Sequence, residues 1–155
     1  MNSLPAKIIL SIIVMEILGG LGAFVTTGSI TDWYSTLTRP PGTPPNWIFG
    51  PVWSALYAMI GISFALVWHQ GGLGKNRLTF LFVTQLILNL AWTPIFFGAH
   101  HIVPALIVIV LMWIFIALTI RAFSKQSRAA AYLLVPYLIW VSYATYLNAG
   151  YAFLN

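Results

Sequence analysis

The sequence contains no cysteine, so neither a disulfide framework nor a thiolate metal site can form. Charge is nearly as scarce. Only 6% of the 155 residues are Asp, Glu, Lys or Arg, against about 25% in a soluble domain. Asp32 is the sole aspartate and has no histidine near it in the chain, which excludes a Ser–His–Asp arrangement. His69 falls at one end of an apolar run, and His100 and His101 fall at the opposite end of the next. They share no metal site, and no histidine lies in mid-run to serve as an axial ligand of a haem iron. No phosphate-cradling glycine motif is present, since Gly71-Gly72-Leu73-Gly74 sits in a turn between apolar runs. The net charge of +5 comes from few cations placed at run ends, too thin a pattern for nucleic acid.

What is present is apolar. Hydrophobic residues make up 60% of the chain, and the mean hydropathy is +0.90. A membrane span needs about 20 apolar residues. Five stretches qualify, at about 5–27, 47–68, 78–97, 102–122 and 131–153. The expected fold is all-α, an integral membrane bundle of five transmembrane helices in one domain covering 1–155. The first run is too long for a cleaved signal peptide and carries Gly19-Gly20-Leu21-Gly22 rather than a cleavage site. Five spans do not divide into two equal halves, which argues against an inverted-repeat transporter. Lys7, Lys75, Arg77, Arg121, Lys125 and Arg128 fall on one side of the membrane and only Arg39 on the other. That bias predicts a cytoplasmic N-terminus.

The long interruption is the stretch from Asp32 to Tyr57, rich in proline and tryptophan. Pro40-Pro41-Gly42-Thr43-Pro44-Pro45 cannot be helical and reads as stiff and extended. A connection of this length, 28–46, reads as a lid, with a rigid interfacial strut as the alternative. Within the spans, polar and aromatic residues share faces. Gln85, Asn89, Trp92 and Phe96 recur at helical spacing, as do Trp53 and Tyr57. Pro136, Trp140, Tyr143, Ala144 and Leu147 form a third face, with Asn148 beside it. Lipid satisfies no polar group, so these faces should point inward and wall a cavity for a large, flat, mostly apolar ligand. The fourth span, with Trp113 and Thr119, reads as a structural wall. Pro94 and Pro136 each remove a backbone hydrogen bond and can kink their helices, with the ordinary tolerance of proline in membrane helices as the alternative. Glu16, the one intramembrane acid, reads first as a neutral residue at a helix contact. Cavity lining and a dimer interface beside Gly19, Gly20 and Ala23 are its alternatives. Gly19 and Ala23 form a small-xxx-small pair that suits a homodimer, or packing within one chain.

Three segments, W-Y-S-T-L-T-R-P-P-G-T-P-P-N-W-I-F-G-P-V-W-S-A-L-Y, L-N-L-A-W-T-P-I-F-F-G-A and V-P-Y-L-I-W-V-S-Y-A-T-Y-L-N, closely resemble the TspO family. This is the translocator protein, peripheral benzodiazepine receptor or tryptophan-rich sensory protein family. The short flanks resemble bacterial members, implying a bacterial cell membrane. The resemblance implies a dimeric five-helix bundle that needs no cofactor. It implies binding of porphyrins such as protoporphyrin IX and haem, and of isoquinoline-carboxamide-type ligands. Carried over, the ligand site involves Ala23, Tyr34, Pro44, Pro45, Trp53, Tyr57, Asn89, Trp92, Trp140, Ala144 and Leu147. Trp53 and Trp140 match tryptophans linked in relatives to light- and oxygen-dependent porphyrin breakdown. The family's proposed sterol motif is incomplete: Leu147 and Tyr151 fit, but no basic residue follows. A reversed pattern, Arg128, Tyr132 and Leu134, matches, yet such patterns arise by chance. The readings rank as porphyrin binding and sensing, then porphyrin degradation, then transport.

Overall fold

The computed structural model describes residues 3–74 and 76–155, so Lys75 lies outside the described residues. Among the described residues there are six α-helices: α1 (Leu4–Thr31), α2 (Asn46–His69), α3 (Asn76–Thr93), α4 (Ile102–Ser124), α5 (Arg128–Leu133) and α6 (Val135–Leu154). Five helical units among the described residues are long and apolar enough to cross a membrane, the fifth being α5 and α6 together. The chain is an integral membrane protein. Neighbours around the bundle run α1, α2, α5–α6, α4, α3, and back to α1 through the turn that follows α3.

The prolines shape the ends of these helices in different ways. Pro136 sits in the first turn of α6, where a missing N–H costs nothing, and Leu134 is the break between α5 and α6. Pro136 is exposed and is not part of the inward face expected from its spacing. Pro94 acts differently. It opens a wide π turn, Pro94–Gly98, closed by the Ala99 N–H donating to the Pro94 carbonyl at 2.8 Å. Proline removes one backbone bond, and the helix widens rather than breaks. The turn carries Phe96 and Phe97 inward beside Tyr34.

The two ends of the bundle are built differently. At the basic end, Lys7 lies 4.8 Å from the Trp68 ring centre, and the Gln126 side chain donates to the Gln70 carbonyl. Here Ile60, Val67, Phe82, Ile116, Phe123 and Ala130 form a closed core. Toward the other end the bundle is hollow, and the chain between α1 and α2 covers it. α1 continues to Thr31, past the expected end of the span, so the cover is shorter than expected. Its bend is a Pro40–Thr43 turn with the Thr43 N–H donating to the Pro40 carbonyl at 3.2 Å. Gly42 takes φ +83° there, which a type II turn demands at its third position.

Candidate functional site

The hollow half encloses a cavity of about 360 Å3. This falls within the range of about 300–1,000 Å3 typical of small-molecule sites. Nine of the eleven expected residues line it: Ala23, Tyr34, Trp53, Tyr57, Asn89, Trp92, Trp140, Ala144 and Leu147. Pro44 and Pro45 do not. Pro45 is the residue preceding α2, and helix geometry turns Asn46, Phe49 and Gly50 to the cavity instead.

A buried polar row closes the floor. The Tyr57 hydroxyl donates to Asn89 Oδ1 at 2.5 Å, and Asn89 Nδ2 donates to the Tyr137 hydroxyl at 2.8 Å. The Tyr137 hydroxyl donates in turn to Gln85 Oε1 at 3.0 Å. The row crosses from α2 through α3 to α6 and pairs these groups where lipid offers no partner, while Gln85 Nε2 stays buried with no partner among the described residues. Trp53 packs over it, 5.7 Å from the Tyr57 ring and 6.3 Å from Tyr137, centre to centre. On another wall, Trp92 Nε1 donates to Asn148 Oδ1 at 3.0 Å, and Asn148 Nδ2 donates to the Ile102 carbonyl at 3.0 Å. Asn148 thereby ties α3, α4 and α6 together. The Trp140 indole N–H, in contrast, is buried without a protein acceptor, as is the Asn46 side-chain oxygen without a donor. Both residues line the cavity through other atoms.

Gly19 packs against its own chain: a Cβ there would stand 2.3 Å from Tyr57 Cε2, so this glycine makes room for Tyr57. Glu16 lines the cavity at the α1–α2 seam, with the Ser54 hydroxyl 3.2 and 3.1 Å from its carboxyl oxygens. It is at once a helix contact and part of the wall. Met112 of α4 also reaches the cavity, so the fourth span is more than a wall.

The cover is fastened from inside. Tyr34 is buried, its hydroxyl 2.7 Å from that of Tyr151. Burial, then the Tyr151 hydroxyl, pushes the Tyr34 phenol well above the usual tyrosine range. Trp33 stacks on His100 with ring centres 4.3 Å apart. The Tyr143 hydroxyl donates to the Gly42 carbonyl, and the Tyr146 hydroxyl donates to the Pro41 carbonyl at 3.0 Å. Asn155 pairs with both backbone groups of Thr38, accepting from its N–H at 2.8 Å and donating to its carbonyl at 3.2 Å. Tyr143 therefore serves the cover rather than the cavity wall. Asn46, Phe49, Thr93 and Met112 were missed because spacing alone does not tell which residues beside an inward face reach a void. Asn148 and Phe96 already carried the signal, as polar and aromatic neighbours of the inward stripes.

Comparison with known proteins agrees with this architecture. The TspO/MBR family profile matches residues 11–154. The chain is 45% identical over 133 residues to the tryptophan-rich protein TspO of Chlorobaculum tepidum, covering 84% of each chain. It is 39% identical over 137 residues to the tryptophan-rich sensory protein of Cereibacter sphaeroides, covering 86% of this chain and 85% of the relative. It is 41% identical over 135 residues to the human translocator protein, covering 83% of this chain and 80% of the relative. With the profile spanning nearly the whole sequence and these relatives matched over most of their length, the chain belongs to the TspO/MBR family.

Proposed function

We propose that this protein is a membrane receptor and sensor that binds porphyrins such as protoporphyrin IX and haem. Related flat apolar ligands, including isoquinoline carboxamides, would use the same cavity. The observation that carries the reading is an aromatic-walled cavity under a fastened cover, with Trp53, Tyr57, Trp92 and Trp140 among its lining residues. Aromatic faces stack on a flat ring system. The relatives' names, sensory protein and translocator protein, are compatible with a ligand-responsive membrane protein. On the Lys and Arg bias, the basic end faces the cytoplasm of a bacterial cell. The homodimer is retained on the resemblance. Titration of the purified protein with protoporphyrin IX tests the binding reading. Tryptophan fluorescence should be quenched saturably near one ligand per chain, with a dissociation constant in the micromolar range, about −8 kcal/mol. Quenching that stays linear with added porphyrin means partitioning into detergent, and the reading fails.

A second reading, light- and oxygen-dependent breakdown of protoporphyrin IX, rests on Trp53 and Trp140 both lining the cavity. An indole is oxidisable and can donate an electron to an excited ring held against it. Spectra of the porphyrin complex in light and dark, with and without oxygen, separate breakdown from binding alone.

A further inference from the structure

Another cavity among the described residues lies outside the bundle, at the basic end. It is a groove of about 200 Å3 between the last turns of α4 and the α5–α6 junction. Ile120 and Ser124 supply one wall, one turn apart on α4; Arg128 and Tyr132, one turn apart on α5, supply the other. Ala131 and Val135 complete the apolar part of the lining. Tyr132 is 72% exposed, and Arg128, like nearby Arg121 and Lys125, is exposed as well.

These cations have no counter-charge within the chain. The sequence holds two acidic residues. Glu16 is at the α1–α2 seam beside Ser54, and Asp32 follows α1 at the covered end. No side-chain carboxylate can reach Arg121, Lys125 or Arg128, so their counter-charge comes from outside the protein. At a membrane surface the matching chemistry is a lipid phosphate.

We propose that this groove is a binding site for one anionic phospholipid of the surrounding bilayer. The Arg128 guanidinium presents a planar fork of donors to the phosphate. Ile120, Ala131 and Val135 give the first acyl carbons an apolar bed. The exposed Tyr132 ring flanks the groove at headgroup depth, where tyrosine is favoured. The Ser124 hydroxyl donates to the Arg121 carbonyl at 2.9 Å, which leaves its oxygen free to accept from a headgroup hydroxyl. A sterol fits less well. The reversed sterol pattern needs Leu134 beside Arg128 and Tyr132, but Leu134 is 1% exposed and packs into the core.

Native mass spectrometry of the full chain in detergent tests the assignment, with phosphatidylglycerol and phosphatidylcholine of identical acyl chains as probes. The wild type should retain one phosphatidylglycerol in preference to phosphatidylcholine. Arg128→Gln should weaken that retention by about tenfold, the scale of a lost charge-assisted contact. Ser124→Trp, which fills the groove without changing charge, should also abolish the preference. Arg77→Gln removes a cation at the same end but outside the groove, and should change retention by less than about twofold. An equal loss in Arg77→Gln would mean diffuse attraction and would overturn the site. Full displacement by inorganic phosphate alone would reassign it to a free anion. Equal retention of cholesterol by the wild type and Arg128→Gln, with no phosphatidylglycerol preference, would make it a sterol groove and also overturn the proposal.

Discussion

Gly19, Trp53, Trp140 and Tyr34 each have a measurable consequence in a single side chain. Gly19→Leu would drive a side chain into Tyr57, which holds the Asn89 end of the polar row. The expected outcome is porphyrin affinity lowered by at least about tenfold, with the oligomeric state unchanged in cross-linking of native membranes. A shift to monomer with intact binding would restore Gly19 as an interface residue. Trp53→Phe and Trp140→Phe keep most of the stacking area but lose the indole. Affinity should stay within about tenfold, while light-dependent bleaching of bound porphyrin slows strongly. Trp113, which donates to Ser142 on the exposed side of the bundle, is the control, and Trp113→Phe should change neither. Normal bleaching in both cavity variants would leave those tryptophans as walls. Tyr34 titrates outside the spans, and its folded-state pKa is raised. Its contribution to stability is therefore full below the ordinary phenol value of about 10 and is lost as the pH climbs above it. Thermal melts should be flat through neutral pH and fall in alkali, and Tyr34→Phe should blunt that fall.

At the scale of elements, the cover and α6 act as a pair. Tyr143 and Tyr146, one turn apart on the lid side of α6, hold the carbonyls of Gly42 and Pro41. Each neutral hydrogen bond is worth about 0.5–1.5 kcal/mol net. Removing both hydroxyls in a Tyr143→Phe, Tyr146→Phe double variant should speed porphyrin release on the order of tenfold, measured by stopped-flow fluorescence. An unchanged release rate would show that the cover is a fixed strut and ligands pass elsewhere. The π turn after α3 has a related role. It keeps Phe96 and Phe97 packed around Tyr34, so the cover closes onto aromatic rings rather than onto a frayed helix end.

For the whole molecule, the division into a packed basic end and a hollow covered end fixes where stability and function reside. The closed core around Phe82, Phe123 and Tyr137 holds the helices without help from a ligand. The covered end has its own apolar cluster of Tyr34, Phe96, Ala105, Leu147 and Tyr151 beside the cavity, and an occupant bound only in the folded state adds stability through mass action. At a hundredfold excess over its dissociation constant, protoporphyrin should stabilise the folded state by about 2.7 kcal/mol. The unfolding midpoint in detergent should rise with porphyrin concentration and saturate. A midpoint that does not move while fluorescence is quenched would place the porphyrin in the micelle.

The five spans, the inward stripes through Gln85, Asn89 and Trp92, and the helix-free character of Pro40–Pro45 are dictated by the sequence alone. Their cause is local: hydropathy over about 20 residues, the 3.6-residue period and the fixed φ of proline. Most of the candidate site was legible on the same grounds and through the family resemblance, because residues on inward stripes must meet something. What the tertiary structure decided is how those stripes meet. Only the packing of α1 on α2 turns Gly19 toward Tyr57 and makes it a maker of space within its own chain. Only the closure of the bundle determines that Asn46 and Phe49 reach the cavity while Pro44 and Pro45 do not. The partner of Tyr143 is a carbonyl 101 residues away in sequence, and no local pattern encodes it. Periodicity assigns a side chain to a face, but a cavity is the space left between several faces, and that space depends on every helix at once.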